Sequence, residues 1–257
     1  MPPRIANQDL PRLASSKGEA SARLGQWTVK GPSGREILLQ YHQFFQDEIL
    51  RGILPRDDNP LIVDCGANIG LCSMWFQSEF PNARVLALEP DPAVFPYLHR
   101  NLQQLTGAHT MNQAAWVRSG SVGFTADGIC GSRIEEGPAA SVVSCTDLRR
   151  LLNEPVELLK LDVEGAEAVL LPHCVDQIAE NVRHLHIEVH EFHDRARALP
   201  SVLELLVDAG FDYHVGPLHT DTRPFERRES WRKIVNPVAV WGWRREIGRP
   251  VVETATD

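Results

Sequence analysis

The sequence predicts an α/β domain with a mostly parallel sheet and helices on both faces. Two observations carry this. From Pro60 onward, short apolar runs alternate with stretches whose apolar residues recur at helical spacing, the pattern of repeated βα units. Three of those runs end at an acidic residue, Asp64, Glu89 and Asp162, where an open parallel sheet binds its ligands.

The elements follow in order. Residues 1–25 are polar, carry Pro2, Pro3 and Pro11, and show no sustained periodicity, so they read as a mobile N-terminal arm. Residues 26–58 read as a cap segment, with a strand near Ile37–Leu39 and a helix face formed by Phe44, Phe45, Ile49 and Leu50. The main domain is expected over 59–245. Its strands are Leu61–Val63, Val85–Leu88, Thr110–Ala115, Val156–Leu161, His184–Val189, Phe211–Val215 and Pro237–Trp243. Helices are expected at Ile69–Phe80, behind Glu89 on Val94, Leu98, Leu102 and Leu105, at Asp147–Leu152, from Ala166 with a restart at Pro172, and at Val202–Ala209. Residues 119–145, punctuated by glycines, read as an inserted β hairpin or loop over one sheet edge, and 246–257 as a tail. Little helix separates the last two strands, so one of them is expected to be antiparallel.

Composition narrows the function classes. The chain has 257 residues, a net charge of -8 and scattered rather than clustered Lys and Arg. That disfavours nucleic acid, whose phosphates demand a basic surface, and favours a small or uncharged acceptor. Five cysteines with no C-x-x-C pair suggest neither a disulfide framework nor a zinc site. With no apolar run long enough to span a bilayer and no secretory signal, no membrane partner and a cytoplasmic location are expected. The oligomeric state is not legible.

The turn after the first strand holds Gly66 and Gly70, which let the backbone pass close to a ligand ahead of a helix N-terminus. Asn68 stands where a dinucleotide fingerprint needs its central glycine, which weakens a nicotinamide oxidoreductase reading. Asp64, just ahead of this turn, suits a cationic amino group and would repel a pyrophosphate. Glu89, ending the second strand, suits the two hydroxyls of a ribose, and Pro90 and Phe95 offer apolar cover for an adenine. Ammonium, ribose and adenine together describe S-adenosylmethionine.

D-C-G-A-N-I-G at 64–70, L-E-P-D-P at 88–92, L-K-L-D-V-E-G-A-E at 159–167 and I-E-V-H-E at 187–191 together resemble the FkbM family of class I methyltransferases over roughly residues 40–243. The resemblance implies a Rossmann-like sheet of seven strands with an antiparallel last strand. It also implies S-adenosylmethionine held by the glycine loop and Glu89, and O-methylation of a hydroxyl on a small natural product or sugar-containing acceptor. Asn112–Ala115, with Ala114 at its centre, resembles the adenine-side segment. Leu171-Pro172 stands where family members often carry a glycine, a change on a helix surface.

If the strands ending at Asp162 and near His190 are neighbours, Lys160 is expected to pair with Glu188, and His190 to sit near Asp162 at the pocket mouth. His190 is then the candidate general base, with Asp162 and Glu164 as catalytic carboxylates. Asp162, Glu188 and His190 also offer ligands for Mg²⁺, although no D-x-D or H-x-H spacing enforces a metal. His173, His184 and His186 read as surface or satisfied polar groups. Asp162-Val163-Glu164-Gly165 stands where an N-methyltransferase would show N/D-P-P-Y, so N-methylation is the weaker alternative, beside a cofactor-binding module without transfer activity. Acceptor specificity is expected in 119–145, 192–200 and 216–232, with Trp231 as core or substrate platform.

Overall fold

The computed structural model describes residues 3–125, 133–134, 141–191, 197–217 and 238–245. Trp231, Cys130, the 246–257 tail and parts of all three expected specificity segments lie outside these residues.

The N-terminal part folds as helix α1 (Leu10–Ser15), hairpin β1 (Ala20–Leu24) and β2 (Trp27–Gly31), and helix α2 (Gly34–Tyr41), which runs into a π-helical turn over His42–Gln46. Ser33 caps α2 by accepting the Glu36 amide. The stretch expected as a mobile arm contains α1 and β1, and its Ile5, Leu13 and Leu24 are buried and join Trp27, Ile37, Tyr41, Phe44 and Phe45 in one apolar cluster. The region expected as a strand at Ile37–Leu39 is helical.

Seven further strands build the main sheet: β3 (Leu61–Cys65), β4 (Arg84–Leu88), β5 (Ala108–Met111), then, after an insertion, β10 (Val156–Leu161), β11 (Val182–Val189), β12 (Phe211–Pro217) and β13 (Val238–Arg244). Their order is β12-β13-β11-β10-β3-β4-β5, with β13 antiparallel to both neighbours and the remaining pairings parallel. The insertion is a separate four-stranded sheet ordered β6-β9-β7-β8, from β6 (Ala114–Trp116), β7 (Gly120–Thr125), β8 (Arg133–Ile134) and β9 (Ser141–Asp147). Helices α3 (Leu71–Glu79), α4 (Phe95–Leu102), α5 (Glu167–His173), α6 (Val175–Asn181) and α7 (Leu199–Asp208) complete the described chain, with a 3₁₀ turn over Leu148–Leu151 in place of the helix expected at Asp147–Leu152. Pro172 lies inside α5, and the break falls at Cys174 rather than at the proline.

Strand alternation sorts the two faces. Leu61, Val63, Cys65, Leu159, Leu161, Leu185 and Ile187 face a core shared with the insertion, α5, α6 and α7. Ile62 and Leu158 face the N-terminal cluster. The cap face also carries a polar row across the strands, since Lys160 is in register with Asp64 on one side and His186 on the other, and His186 with Trp241. The chain winds outward from β3 through β4 to β5 and resumes beside β3 as β10, so the switch point, and with it the cleft, lies at the carboxyl ends of β3 and β10.

Candidate active site

The loop after β3 is built from left-handed backbone: Gly66 at φ 73°, Asn68 at φ 49° and Gly70 at φ 92°. A Cβ on Gly66 would stand 1.8 Å from the Asp162 carbonyl oxygen, so glycine is required there for space as well as for conformation. The Asp162 amide donates to the Cys65 carbonyl (3.1 Å), which joins the start of the glycine loop to the end of β10. The Gly66 and Ala67 amides both donate to the Leu88 carbonyl, which ties the loop to the end of β4 as well.

Glu89 is buried at the end of β4, where Oε2 accepts from the Asn68 amide (3.0 Å) and Oε1 from the Asp91 amide (2.9 Å). Burial pushes its pKa up to about 7 against those two bonds. Each carboxylate oxygen keeps further acceptor capacity for a diol. Asn112 Nδ2 donates to the carbonyls of Glu89 (2.8 Å) and Pro90 (3.2 Å), fixing this turn. Beside it, Gln113 Oε1 is a buried acceptor without a partner, and Ala114 is buried in the core of the insertion. Phe95 packs against the cap cluster and stacks on His99.

Asp64 departs from the expectation that it meets an ammonium from the ligand. It is fully buried, with Ser73 Oγ on Oδ2 (2.7 Å) and Lys160 Nζ 3.5 Å from Oδ1. Lys160 likewise does not pair with Glu188. It spans Asp64 and Asp162 (3.4 Å) and donates to the Gly66 carbonyl (3.0 Å). Burial opposes its charge, and the two aspartates outweigh burial and hold it cationic. In register Lys160 faces Asp64, whereas Glu188 lies two residues beyond its β11 partner His186.

At the ends of β10 and β11, one polar side-chain atom each of Asp162, Glu188 and His190 lies within 4.8 Å of the others. Burial and the Asp162 charge push Glu188 up to about 8. Gln43, from the π turn of the cap, donates to Glu188 Oε1 at 2.7 Å. His190 is held from both sides, with Nδ1 3.1 Å from Glu167 Oε1 and Nε2 3.4 Å from Glu164 Oε2. Burial works against its charge, but the bond and charge of Glu167, then Glu164 and Asp162, raise its pKa well above the usual histidine value. Glu164 itself sits in left-handed backbone at φ 54°. Asp162 remains the most open of the three, its side chain 26% exposed.

Sequence reasoning missed the cap's contribution, namely Glu36, Gln40 and Gln43, and it missed Glu167 as the anchor of His190. His186 also differs from expectation, being fully buried with neither ring nitrogen partnered. Burial and the Lys160 charge push it down to about 3, so it is neutral. His173 and His184 are satisfied by Asp147 and Glu157. The Mg²⁺ reading does not fit, because both nitrogens of His190 already face carboxylates and Gln43 occupies one oxygen of Glu188.

The cradle does fit S-adenosylmethionine: a glycine loop closed to any side chain at Gly66, a carboxylate at the second strand end, and the buried, unpartnered acceptors Asn68 Oδ1 and Gln113 Oε1. A seven-stranded sheet of this order around such a loop defines a class I methyltransferase. Known proteins agree. Residues 64–213 match the family described as the Methyltransferase FkbM domain, and the chain belongs to that family as an S-adenosylmethionine-dependent methyltransferase. Methyltransferase sdnD of Sordaria araneosa is 28% identical over 67% of this chain and 81% of its own length. The AMB antimetabolite synthetase AmbE of Pseudomonas aeruginosa is 27% identical over 73% of this chain, which spans only 11% of that protein. Among solved structures, the FkbM methyltransferase of Methylobacillus flagellatus KT shares the fold at a TM-score of 0.54 and 17% identity, covering 76% of this chain and 46% of that one. Among the described residues no helix is long and apolar enough to cross a membrane.

Proposed function

We propose that this methyltransferase acts on oxygen, alkylating a hydroxyl of a small natural product or sugar-containing acceptor. The observation that carries the reading is Glu188, a buried carboxyl raised to about 8 and clustered with Asp162 and His190 at the strand ends beyond the glycine loop. A carboxylate tuned close to working pH is suited to taking the proton of a hydroxyl. Asp162, the more exposed partner, supplies the neighbouring negative charge that helps to hold the Glu188 carboxyl high. The base role expected of His190 suits it less, because an imidazole held between Glu164 and Glu167 is a cation with no lone pair to offer. It serves instead as the fixed positive charge that allows Asp162 and Glu188 to lie close together, with Glu164 as its solvent-side counter-charge. When bound, S-adenosylmethionine would supply the methyl group and leave as S-adenosylhomocysteine, and the part of this chain would be to take the acceptor's hydroxyl proton onto Glu188 as the oxygen gains the methyl carbon. The net charge of -8 supports a small acceptor over nucleic acid. AmbE, whose name makes it a synthetase of an antimetabolite, is consistent with small-molecule chemistry.

Release of S-adenosylhomocysteine on a panel of hydroxylated and aminated small molecules tests the reading. Turnover confined to amines would sink it, and cofactor binding without turnover on any acceptor would favour a binding module.

A further inference from the structure

The cap contributes three polar side chains to the cleft at helical spacing. Glu36 and Gln40 lie one turn apart on α2, and Gln43 follows in the π turn, a feature often found at functional sites. Gln40 Nε2 donates to Glu36 Oε1 (3.1 Å), Gln40 Oε1 receives the Leu71 amide (3.4 Å), and Gln43 reaches Glu188. Glu36 is 3% exposed, yet among the described residues no lysine or arginine forms an ion pair with it; Arg35 acts on it through charge alone, and it lies close enough to Asp162 to feel that charge too. Its Oε1 accepts Asn68 Nδ2 at 2.8 Å, and the other end of that amide, Asn68 Oδ1, is buried with no partner.

We propose that Glu36 and Asn68 Oδ1 together receive the α-ammonium of the methionine moiety, making the cap helix a wall of the cofactor site. This rests on S-adenosylmethionine being the cofactor. An ammonium carries three donors and no acceptor, and two adjacent acceptors, one of them anionic, match it. The carboxylate first expected to do this, Asp64, is fully buried behind the loop, with Oδ2 accepting from Ser73 and its charge already met by Lys160, 3.5 Å from an Oδ1 that accepts no hydrogen bond. The glycine loop places Asn68 beside the cleft, and its backbone amide is already committed to Glu89, so a ligand that reaches Glu89 passes the Asn68 side chain. Burial raises the Glu36 carboxyl above the ordinary range, and a cation alongside relieves that cost.

Calorimetric titration of the full chain with two ligands tests this: S-adenosylhomocysteine, which has the ammonium, and 5′-methylthioadenosine, which lacks the whole amino-acid part. Glu36→Gln keeps an oxygen to accept from Asn68 and Gln40, so the loop stays in place. We expect about tenfold weaker binding of S-adenosylhomocysteine, an effect of one partly buried charge contact, with 5′-methylthioadenosine unchanged. Unchanged 5′-methylthioadenosine binding also reports that the variant is folded. Equal weakening of both ligands, or of neither, overturns the proposal. Wild-type protein that binds neither ligand would overturn the cofactor reading and the proposal with it.

Discussion

Nδ1 of His190 lies 3.1 Å from Oε1 of Glu167, and both side chains are cut off from solvent, Glu167 completely. The same Glu167 oxygen accepts the amides of Val163 (3.2 Å) and Gly165 (3.1 Å), so one carboxylate fixes the turn after β10 and the imidazole on β11's end. Removing the imidazole leaves a buried carboxylate without its counter-charge. His190→Ala is therefore expected to destabilise the fold by about 3 kcal/mol, measured by denaturant unfolding. By NMR the His190 ring should remain protonated at neutral pH, and Glu167→Gln should bring its titration down. A wild-type ring titrating at the ordinary histidine value, about 6.5, would return His190 to the role of base.

The rate should depend on the ionisation of Glu188. With its pKa near 8, turnover under saturating acceptor is expected to climb as pH rises through about 8 and then level off. Glu188→Gln should cost on the order of 10²-fold in kcat while leaving S-adenosylhomocysteine affinity intact. Gln43→Ala, which frees one Glu188 oxygen, should shift the limb of the profile without abolishing it. A flat profile between neutral and alkaline pH would rule Glu188 out as the proton acceptor.

Glycines 66 and 70 share a left-handed backbone but differ in what surrounds them. A methyl on Gly66 meets the Asp162 carbonyl at 1.8 Å, which only backbone movement can relieve. A methyl on Gly70 meets the ends of Leu98 and Leu102 side chains at 2.9 Å, which can turn aside. Gly70→Ala should cost roughly 1–3 kcal/mol, the strain of its φ, and retain cofactor binding. Gly66→Ala should separate the strand ends and abolish binding. Equal effects in thermal melts and cofactor titrations would contradict the geometry.

The two glycines also show what was legible in the sequence. Strand ends, tight turns and the acidic residues beside them are local features, so Gly66, Glu89 and Asp162 could be placed at the carboxyl ends of their strands from spacing alone. Their partners were not local. Lys160 forms an ion pair with Asp64 rather than Glu188 because strand register sets it against β3, and register depends on the whole sheet. Glu36 and Gln43 precede the glycine loop by a long, winding stretch, and nothing in their own pattern says that α2 returns to the cleft. The N-terminal arm looked featureless because Ile5, Leu13 and Leu24 are too widely spaced to make a period, although together they bury one side of the cap.

Cofactor binding should release protons near neutrality. Glu89, raised to about 7 by burial, is partly protonated in the free protein. Ribose hydroxyls donating to it favour the carboxylate, so its pKa falls when the site fills. Calorimetry in buffers of different ionisation enthalpy should show a fractional proton released at about pH 7 and less at pH values well above Glu89's pKa, with affinity rising as pH rises through that range. Stability of the free protein should move oppositely. Raised folded-state pKa values at Glu89 and Glu188 contribute stability below the ordinary carboxylate range, and this is lost as pH rises through about 7 and about 8. The gain in melting temperature on adding S-adenosylhomocysteine should accordingly widen from acid to mildly alkaline pH. Glu89→Gln should remove the proton release together with most of the affinity. If the variant bound as tightly as wild type, or wild type took up protons on binding, Glu89 would not be the ribose carboxylate.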